Sequence, residues 1–513
     1  MPIGTRKEKR AGTFTVSPGR EVYGELTLAR SRTSLYLHDK EFFDIIGVSS
    51  LKGVLRDLTR VSLIDCIPTS GTGSGSHGDE RYHFAEVFPH FIIFGDRHIA
   101  PEEKTIRAIH FVMDDATTLF YDFDAFGSLL DARPFIDEIV RAHIEQISRH
   151  YPFDRQITTG SDPQILYFTG KREIFTTDTV FGTISAAHNP GHSLGGPRGV
   201  RLKNTIVVTI TPKDGIVFEE AIARTSTVLA YFGLLIGRPQ NLRKMYLATA
   251  PDSGTQRPLR VYWSMPPKRR PSHEPRNPHP ADVLLDGARQ PKVFSRVLTS
   301  WLERQQMWRD ARQRFFDSFA QQRNYPIDRL TGSANMFDIL PHTAVPEAVE
   351  LTEQLKSARL RARKIFYDLP NSVERESVLN ELGRMGKSKL KQKVAHRARS
   401  IVAALGQPFA DLITITNEAV NCRNYFVHGG KARFDYTANW GAVAFLTDTL
   451  EFVFAASDLI DAGWDIKAWS KIPSSMSHPF GAYRVGYAQN VQKLKALLPK
   501  KAAKSPHRRT PRT

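Results

Sequence analysis

The sequence is poor in cysteine: its 513 residues contain only two, Cys66 and Cys422. They lie far apart, and neither has a second cysteine or a group of histidines close by in the sequence. A disulfide-stabilised secreted fold or a structural zinc site needs more cysteines at closer spacing. The cysteine content therefore argues against both, and we expect a cytoplasmic protein from a reducing compartment.

Long apolar runs without charges are also missing. The most apolar stretch, 445–460, contains Asp448, Glu451 and Asp458, and three carboxylates are too costly inside a bilayer. The basic first residues, MPIGTRKEKRAGTF, are followed by no apolar segment, so they lack the pattern of a secretory signal. We therefore expect neither a membrane span nor a membrane partner.

Acidic residues are in the minority, because 53 Asp and Glu accompany 71 Lys and Arg, a formal net charge of +18. Such a basic excess favours a polyanionic partner, nucleic acid before an anionic membrane surface. Hydrophobic residues at 41% and aromatic residues at 10% are enough for packed cores, so the chain is not mostly disordered. Its length corresponds to roughly two to four domains.

The first part of the chain has the pattern of strands. Helices are expected at 134–149 and 218–236, and the Gly/Ser-rich stretch 71–80 is expected to be a loop. Short apolar runs rich in β-branched and aromatic residues, separated by turn signals, predict strands at 22–29, 34–37, 61–67, 88–95, 108–113, 118–124, 165–170, 179–185 and 204–212.

The C-terminal part has the pattern of helices. A segment dense in proline and positive charge, 266–280, is the best candidate for a linker, and the basic residues 499–513 are expected to form a disordered tail. Apolar periodicity, with prolines between the periodic segments, predicts helices at 296–323, 346–368, 372–384, 388–405, 408–428 and 439–462.

These patterns predict an α+β multidomain protein, with a β-rich, sandwich-like domain followed by an all-α helical bundle. The β-rich domain is expected to end in a helix. The predicted divisions are a β-rich domain over 1–240, a connecting segment over 241–295, the helical domain over 296–472 and a C-terminal extension with the basic tail over 473–513.

The segment NCRNYFVHGG, at 421–430, carries the most chemical information. Asn424 and His428 lie four residues apart, on one face of the last turn of the helix predicted at 408–428. Arg423 precedes His428 by five residues, about 140° around the helix axis. Gly429 is suited to end the helix in a left-handed cap.

Arginine and histidine together suit the cleavage of phosphodiester bonds. Histidine transfers protons near neutral pH, and a guanidinium stabilises the charge that develops on a phosphoryl oxygen. Because the 2′-OH of RNA is an internal nucleophile, such a pair can cut RNA without a metal ion or another cofactor. This chemistry makes Arg423 and His428, with Asn424 on the same face as His428, candidate catalytic residues that need no metal or cofactor site.

The same residues also have a simpler, structural interpretation. A histidine near a helix C-terminus interacts favourably with the helix dipole, and Arg423 could be an ordinary surface charge. A two-residue match is weak on its own. Among the 17 histidines, however, only His428 follows an arginine by five residues.

The helical half resembles a HEPN domain, whose hallmark is an arginine, a polar residue, three further residues and a histidine near the end of its third principal helix. Arg423, Asn424 and His428 match this hallmark. The first half resembles the β-rich domain that precedes this type of HEPN domain in ApeA-like anti-phage proteins, in the segments GREVYGELTL (19–28), LTRVSLIDC (58–66), VFPHFIIFG (87–95), HFVMDDATTLFYDFDAFG (110–127), LYFTGKREIF (166–175), NPGHSLGGPRG (189–199) and FGLLIGRPQNL (232–242).

The resemblance implies a metal-independent endoribonuclease that acts in abortive infection, with tRNA or other host or phage RNA, of unknown identity, as its substrate. HEPN domains usually pair two-fold, so it also implies a homodimer in which two copies of His428 serve as base and acid. Arg423 would stabilise the scissile phosphate, and Asn424 would orient the phosphate or His428. The N-terminal domain would sense a phage-derived trigger or regulate the nuclease.

Two other classes of function stay open at this stage. The helical domain could hold RNA or a protein partner without cutting RNA. Alternatively, the N-terminal carboxylates could serve a carbohydrate-active enzyme, although adjacent aspartates more often flank a β-turn. The second alternative predicts that Asp115 or Asp122 matters and that His428 does not; the carboxylates concerned are Asp114, Asp115, Asp122 and Asp124.

The segment RMGKSKLKQKVAHRARS, at 384–400, is strongly basic. RNA phosphates near an active site would need such a surface, but a solvated helix face is the usual explanation for a run of this kind. His396 lies on the same predicted helix, and its spacing does not connect it with His428.

Overall fold

The computed structural model describes residues 7–152, 156–193, 197, 199–250, 257–266, 277–347 and 351–499. Most of the predicted linker and nearly all of the predicted tail lie outside the described residues. The chain divides into two compact units, of which the first comprises Met1–Ile236, Gln240–Arg269 and Val283–Thr299, and the second comprises Gly237–Pro239, Arg270–Asp282 and Ser300–Thr513.

The first unit is built on antiparallel strands, with three helices between them. The helices are α1 (Ala116–Leu119), α2 (Arg133–Ser148) and α3 (Phe218–Ile236). The strands are β1 (Glu8–Ser17), β2 (Arg20–Leu28), β3 (Ser34–Asp39), β4 (Ser50–Leu55), β5 (Arg60–Pro68), β6 (Gly73–His77), β7 (Glu80–Gly95), β8 (Ala108–Met113), β9 (Phe126–Leu129), β10 (Ile165–Phe168), β11 (Glu173–Thr179), β12 (Gly182–His188), β13 (Gly191–Ser193), β14 (Arg201–Lys203), β15 (Ile206–Thr211), β16 (Leu242–Ala248) and β17 (Leu259–Trp263).

Thirteen of these strands form one sheet, in the order β11-β12-β15-β8-β16-β17-β7-β3-β2-β1-β4-β5, with β6 also on β7. Strand β7 is long enough to pair with β3 up to Val87 and with β5 from Val87 to Gly95. The strands β7, β3, β2, β1, β4 and β5 therefore close into a ring. Its interior is an apolar cluster that includes Phe14, Leu35 and Leu63, each fully buried.

Phe14 on β1 explains why glycines face the inside of this ring. A Cβ atom on Gly24 of β2 would lie 2.9 Å from Phe14 Cδ2, and one on Gly53 of β4 would lie 2.4 Å from Phe14 Cδ1. The phenyl ring therefore occupies the space that side chains on both neighbouring strands would need. A larger residue at either position would force the ring out of the core.

Three segments of the first unit differ from the sequence prediction. Residues 179–185, predicted as one strand, contain the turn between β11 and β12. Residues 118–124, predicted as a strand, contain the end of α1 and a loop, because Phe120 turns inward to pack against Phe175, Phe232 and Phe294. The stretch 71–80, predicted as a loop, instead contains β6, whose backbone pairs with that of β7.

The second unit is helical, and the division between the units falls within α4. The helix predicted over 296–323 is in fact two helices that meet at Arg304. The helices are α4 (Pro291–Glu303), α5 (Gln305–Phe319), α6 (Ile327–Asn335), α7 (Glu353–Tyr367), α8 (Val373–Gly383), α9 (Leu390–Leu405), α10 (Leu412–His428), α11 (Trp440–Asp461), α12 (Ile466–Ser470) and α13 (Pro479–Leu497).

A large antiparallel sheet followed by an all-helical region confirms the predicted fold class. None of the described helices is long and apolar enough to cross a membrane.

The carboxylates that interrupt the apolar stretch of α11 are bound by residues of the surrounding helices. Asp458 accepts hydrogen bonds from both Nε and Nη2 of Arg312, at 2.9 and 3.0 Å. Glu451 accepts from Nε and Nη2 of Arg329 on α6, both at 2.8 Å, and from Ser333. Since buried charges are tolerated only when paired and hydrogen-bonded, these contacts fix where α5 and α6 lie against α11.

Candidate active site

Helix α10 carries the predicted catalytic residues to its C-terminal end. Its buried face, which includes Leu412, Ile415 and Ala419, packs into the helical unit. The helix ends at Gly429, whose φ of 65° is left-handed and whose N–H donates to the Tyr425 carbonyl at 3.1 Å. The predicted left-handed cap at Gly429 is therefore confirmed, and it leaves His428 exposed in the last turn.

Arg423 and His428 are in direct contact. Nη1 of Arg423 lies 2.9 Å from Nε2 of His428, although helix geometry separates the two residues by about 140°. The arginine side chain is long enough to reach around the last turn of the helix to the histidine ring. Because a guanidinium has only donors, Nε2 of His428 is the acceptor in this contact.

Two asparagines hold the same guanidinium. Nη1 of Arg423 also donates to Oδ1 of Asn424 at 3.1 Å, and Nη2 donates to Oδ1 of Asn335 at 2.8 Å. The third nitrogen, Nε, is buried and has no acceptor among the described residues. Asn424 therefore acts on Arg423 rather than directly on His428, and the arrangement leaves one donor of Arg423 unsatisfied.

Asn335 is the residue of this site that the sequence did not indicate. It is the last residue of α6, a helix that the periodicity did not predict, and it lies 88 positions before Arg423. No spacing rule connects residues so far apart. Its position depends on Arg329, one and a half turns earlier on α6, whose pairing with Glu451 holds the helix in place.

Cys422, next to Arg423 in sequence, can be set aside as a nucleophile. Its side chain is fully buried in the helical unit. Burial and the neighbouring Glu418 raise the pKa of the Cys422 thiol to about 12. Because the thiolate is the reactive form, this cysteine is inert near neutral pH.

His396 does not appear among the contacts of this site. It is half-buried on α9, where desolvation and the nearby Arg397 and Arg399 lower its pKa. The positive charges of these arginines disfavour protonation of His396, and no described contact joins it to Arg423 or His428.

The N-terminal carboxylates are bound by different groups. Asp114 accepts from Nε of Arg243 at 2.7 Å and from Asn241 at 2.8 Å. Asp115 exchanges two hydrogen bonds of 2.9 Å with the buried Gln240. Asp114 and Asp115 lie in a turn between β8 and α1, as the sequence favoured, and their contacts tie this turn to β16 and to the segment before it.

Asp122 is enclosed in a separate cluster of the first unit. Its Oδ2 lies 2.8 Å from Nζ of Lys171 and 3.5 Å from Nε2 of His188, and its side chain is 4% exposed. Asn204 contacts the other ring nitrogen of the buried His188. Since Asp122 and Asp115 are both engaged structurally, this geometry gives no support to a carbohydrate-active site.

No group of three or more His, Cys, Asp and Glu side chains that could hold a metal ion occurs in the described part of the chain. None of the clusters described above indicates a cofactor-binding site.

Comparison with protein families gives two matches that together cover most of the chain. Residues 9–301 match the family model of the ApeA N-terminal domain 1, and residues 331–467 match that of the Apea-like HEPN domain. The first match alone spans more than half of the 513 residues. The chain belongs to the ApeA family.

The ApeA family assignment confirms the resemblance drawn from the sequence, and it implies a HEPN nuclease-type anti-phage protein. Asn335, Arg423, Asn424 and His428 all lie within the residues that match the ApeA-like HEPN domain. No curated protein and no solved structure matches the chain.

Proposed function

We propose that this protein is a metal-independent endoribonuclease that cuts RNA in anti-phage defence, with Arg423, Asn424 and His428 as its catalytic residues. The observation that carries the proposal is the contact between Nη1 of Arg423 and Nε2 of His428, at an exposed helix end inside a HEPN domain. A guanidinium, which suits phosphate binding, and an imidazole, which suits proton transfer, are thus in contact at this helix end.

The reaction begins with the 2′-OH of the nucleotide before the scissile bond. The 2′-oxygen gives its proton to Nε2 of His428 and attacks the phosphorus. The bond to the 5′-oxygen breaks, and that oxygen takes a proton to leave as a hydroxyl. The products are a 2′,3′-cyclic phosphate end and a 5′-hydroxyl end, while Arg423 stabilises the charge on the phosphoryl oxygens.

Substrate binding must rearrange the guanidinium. In the arrangement described here, Nη1 of Arg423 contacts Nε2 of His428, so a substrate hydroxyl cannot reach that nitrogen. A phosphate that takes the hydrogen bonds of Nη1 would free Nε2 at the same moment. Charge-assisted bonds to phosphate are stronger than those to a neutral ring nitrogen, which supports this exchange.

A second copy of the chain completes the proton transfers. His428 takes a proton from the nucleophile, so a different group must supply the proton for the leaving oxygen. We assign that role to His428 of the partner subunit in a homodimer formed through the HEPN domain. The N-terminal unit would then sense a phage-derived trigger or hold the nuclease inactive in the cytoplasm of healthy cells.

The end chemistry of the products tests this reaction. The purified protein is incubated with single-stranded RNA in the presence of EDTA, and the new ends are identified with end-specific ligases. We expect 5′-hydroxyl and 2′,3′-cyclic phosphate ends that form at the same rate with EDTA. Cleavage that EDTA abolishes, or that leaves 5′-phosphate ends, would overturn the proposed mechanism.

Asn335 is expected to act as a positioning residue for Arg423. In Asn335→Ala the guanidinium loses an acceptor, and a hydrogen bond to a charged group contributes about 1.5–3 kcal/mol, which corresponds to a loss of roughly tenfold to a hundredfold in rate. The kinetics of RNA cleavage should show a lower kcat with little change in KM. Asn335→Asp keeps the acceptor and should recover most of the rate; equal losses in both variants would refute the positioning role.

Asp115→Asn is expected to leave the rate of RNA cleavage unchanged, because Asp115 is bound to Gln240 in the first unit. This variant separates the nuclease from the carbohydrate-active alternative. An assay of RNA cleavage with Asp115→Asn and His428→Ala in parallel decides between them. A loss of activity in Asp115→Asn alone would count against the nuclease site.

A further inference from the structure

The basic segment before and at the start of α9 lies close to the Arg423–His428 pair. Helices α9 and α10 are neighbours that are joined by only six residues, 406–411. Lys393, in the first turn of α9, donates from Nζ to the Asp338 carbonyl at 2.8 Å. Asp338 follows the last residue of α6, Asn335, by three positions, and Asn335 binds Arg423. The end of α6 and the residues just after it therefore contact both the start of α9, through Asp338, and the end of α10, through Asn335.

Three lysines of this segment are available to a ligand. Lys387, Lys389 and Lys391 are exposed, and within the described residues none of the three forms a salt bridge. The nearby Lys393, by contrast, is half-buried and has Asp338 as its partner. Other basic residues of 384–400 do have carboxylate partners, since Arg384 pairs with Glu381 and Arg397 with Asp461. Among the described residues, Lys387, Lys389 and Lys391 thus form a positively charged surface that lacks such ion pairs.

We propose that Lys387, Lys389 and Lys391, here called the lysine strip, bind the backbone phosphates of the RNA strand beside the scissile bond. The proposal rests on the proposed function, because it takes RNA as the substrate. An RNA strand that enters the site must continue beyond the scissile phosphate. On one side of that phosphate, the positively charged lysine strip can bind the neighbouring phosphates. Lysines that contact phosphates add affinity without selecting a sequence.

The charge of the lysine strip makes a quantitative expectation possible. Binding of single-stranded nucleic acid weakens with salt by a slope of about 0.7 for each neutralised phosphate on a double-logarithmic plot. If the three lysines each contact one phosphate, their removal should lower that slope by about 2. The effect should be the same for RNAs of unrelated sequence.

A matched control comes from Lys467, Lys471 and Lys493, which are exposed as well. Trp469, between the first two, packs on Phe452, whose ring in turn packs on Phe409 in the connection between α9 and α10. Lys493 lies two residues before Lys495, which pairs with Asp411 at the start of α10. These lysines therefore belong to the end of the α9–α10 pair opposite to His428.

Binding is measured in the His428→Ala background, so that the RNA stays intact. Three proteins are titrated into fluorescently labelled single-stranded RNA over a range of salt concentrations. They are the parent, the lysine-strip variant (Lys387→Gln, Lys389→Gln, Lys391→Gln) and the control variant (Lys467→Gln, Lys471→Gln, Lys493→Gln). Far-UV circular dichroism establishes that all three are folded. We expect weaker binding and a slope lower by about 2 for the first variant alone.

The outcomes separate the two proposals. Two results would overturn the role of the lysine strip and leave the proposed nuclease intact, provided that the wild type cuts RNA. One is an equal loss of RNA affinity in both triple variants, and the other is an unchanged salt dependence of binding in the lysine-strip variant. A parent that neither binds RNA nor, with His428 restored, cuts it would overturn both. In the cleaving enzyme, the lysine-strip variant should raise KM and leave kcat unchanged.

Discussion

RNA cleavage is expected to fall by about 10²- to 10⁴-fold when His428 is replaced by alanine, the usual contribution of a positioned general base. Two other described side chains that could transfer a proton, Cys422 and His396, are not placed to replace it. Cys422 is buried with a pKa raised to about 12, and His396 is half-buried beside arginines. The measurement is the initial rate of cleavage of a labelled RNA by the purified variant.

The fold should survive this substitution, because His428 is exposed in the last turn of α10. The melting temperature of His428→Ala is therefore expected to equal that of the wild type. His428→Gln is the matched control, since glutamine can accept a hydrogen bond from Arg423 but cannot carry a proton in turnover. Both variants should be inactive. Cleavage at the wild-type rate by either of them would remove His428 from the mechanism.

Replacing Glu451 by leucine is expected to have the largest effect on stability. Glu451 and Arg329 form a bidentate pair in which both side chains are 3% exposed. Removal of the carboxylate leaves a buried guanidinium without its main counter-charge, at a cost of about 3–5 kcal/mol. For a helical unit of this size, the melting temperature should fall by roughly 6–20 °C.

The loss of the Arg329–Glu451 pair should also disturb the active site, because Arg329 and Asn335 lie on the same helix. Below its melting temperature, Glu451→Leu should cut RNA more slowly than the wild type. Asp411→Ala, which breaks the exposed pair with Lys495, is the control and should cost less than about 1 kcal/mol. Adding Arg329→Met to Glu451→Leu should restore much of the stability, since a buried pair can be replaced by apolar residues. A wild-type melting curve for Glu451→Leu would show that the pair does not hold α6.

Helices of both units could be predicted where their signals are local. Helix α3 has the bounds that its apolar periodicity predicts, and α10 ends at Gly429 as the Gly-Gly sequence indicates. The spacing of Arg423 and His428 likewise lies within one short segment. That the two side chains touch follows from the length of arginine and from the exposed position of the histidine.

The features that could not be predicted depend on contacts between distant segments. The closure of the strand ring requires β7 to pair with β3 and with β5, and periodicity does not specify such pairings. Residues 118–124 have strand-like composition, but packing of Phe120 in an aromatic cluster overrides it. Asn335 was missed for the same reason, because only the folded chain brings α6 to Arg423.

The central claim is that the Arg423–His428 pair cuts RNA during phage infection. The most direct measurement is sequencing of RNA 5′-hydroxyl ends in bacteria that express the wild type or His428→Ala and are challenged with phage. The wild type should protect the culture and produce new 5′-hydroxyl ends that the variant lacks. Protection by both proteins without new RNA ends would contradict the claim and direct attention to the N-terminal unit.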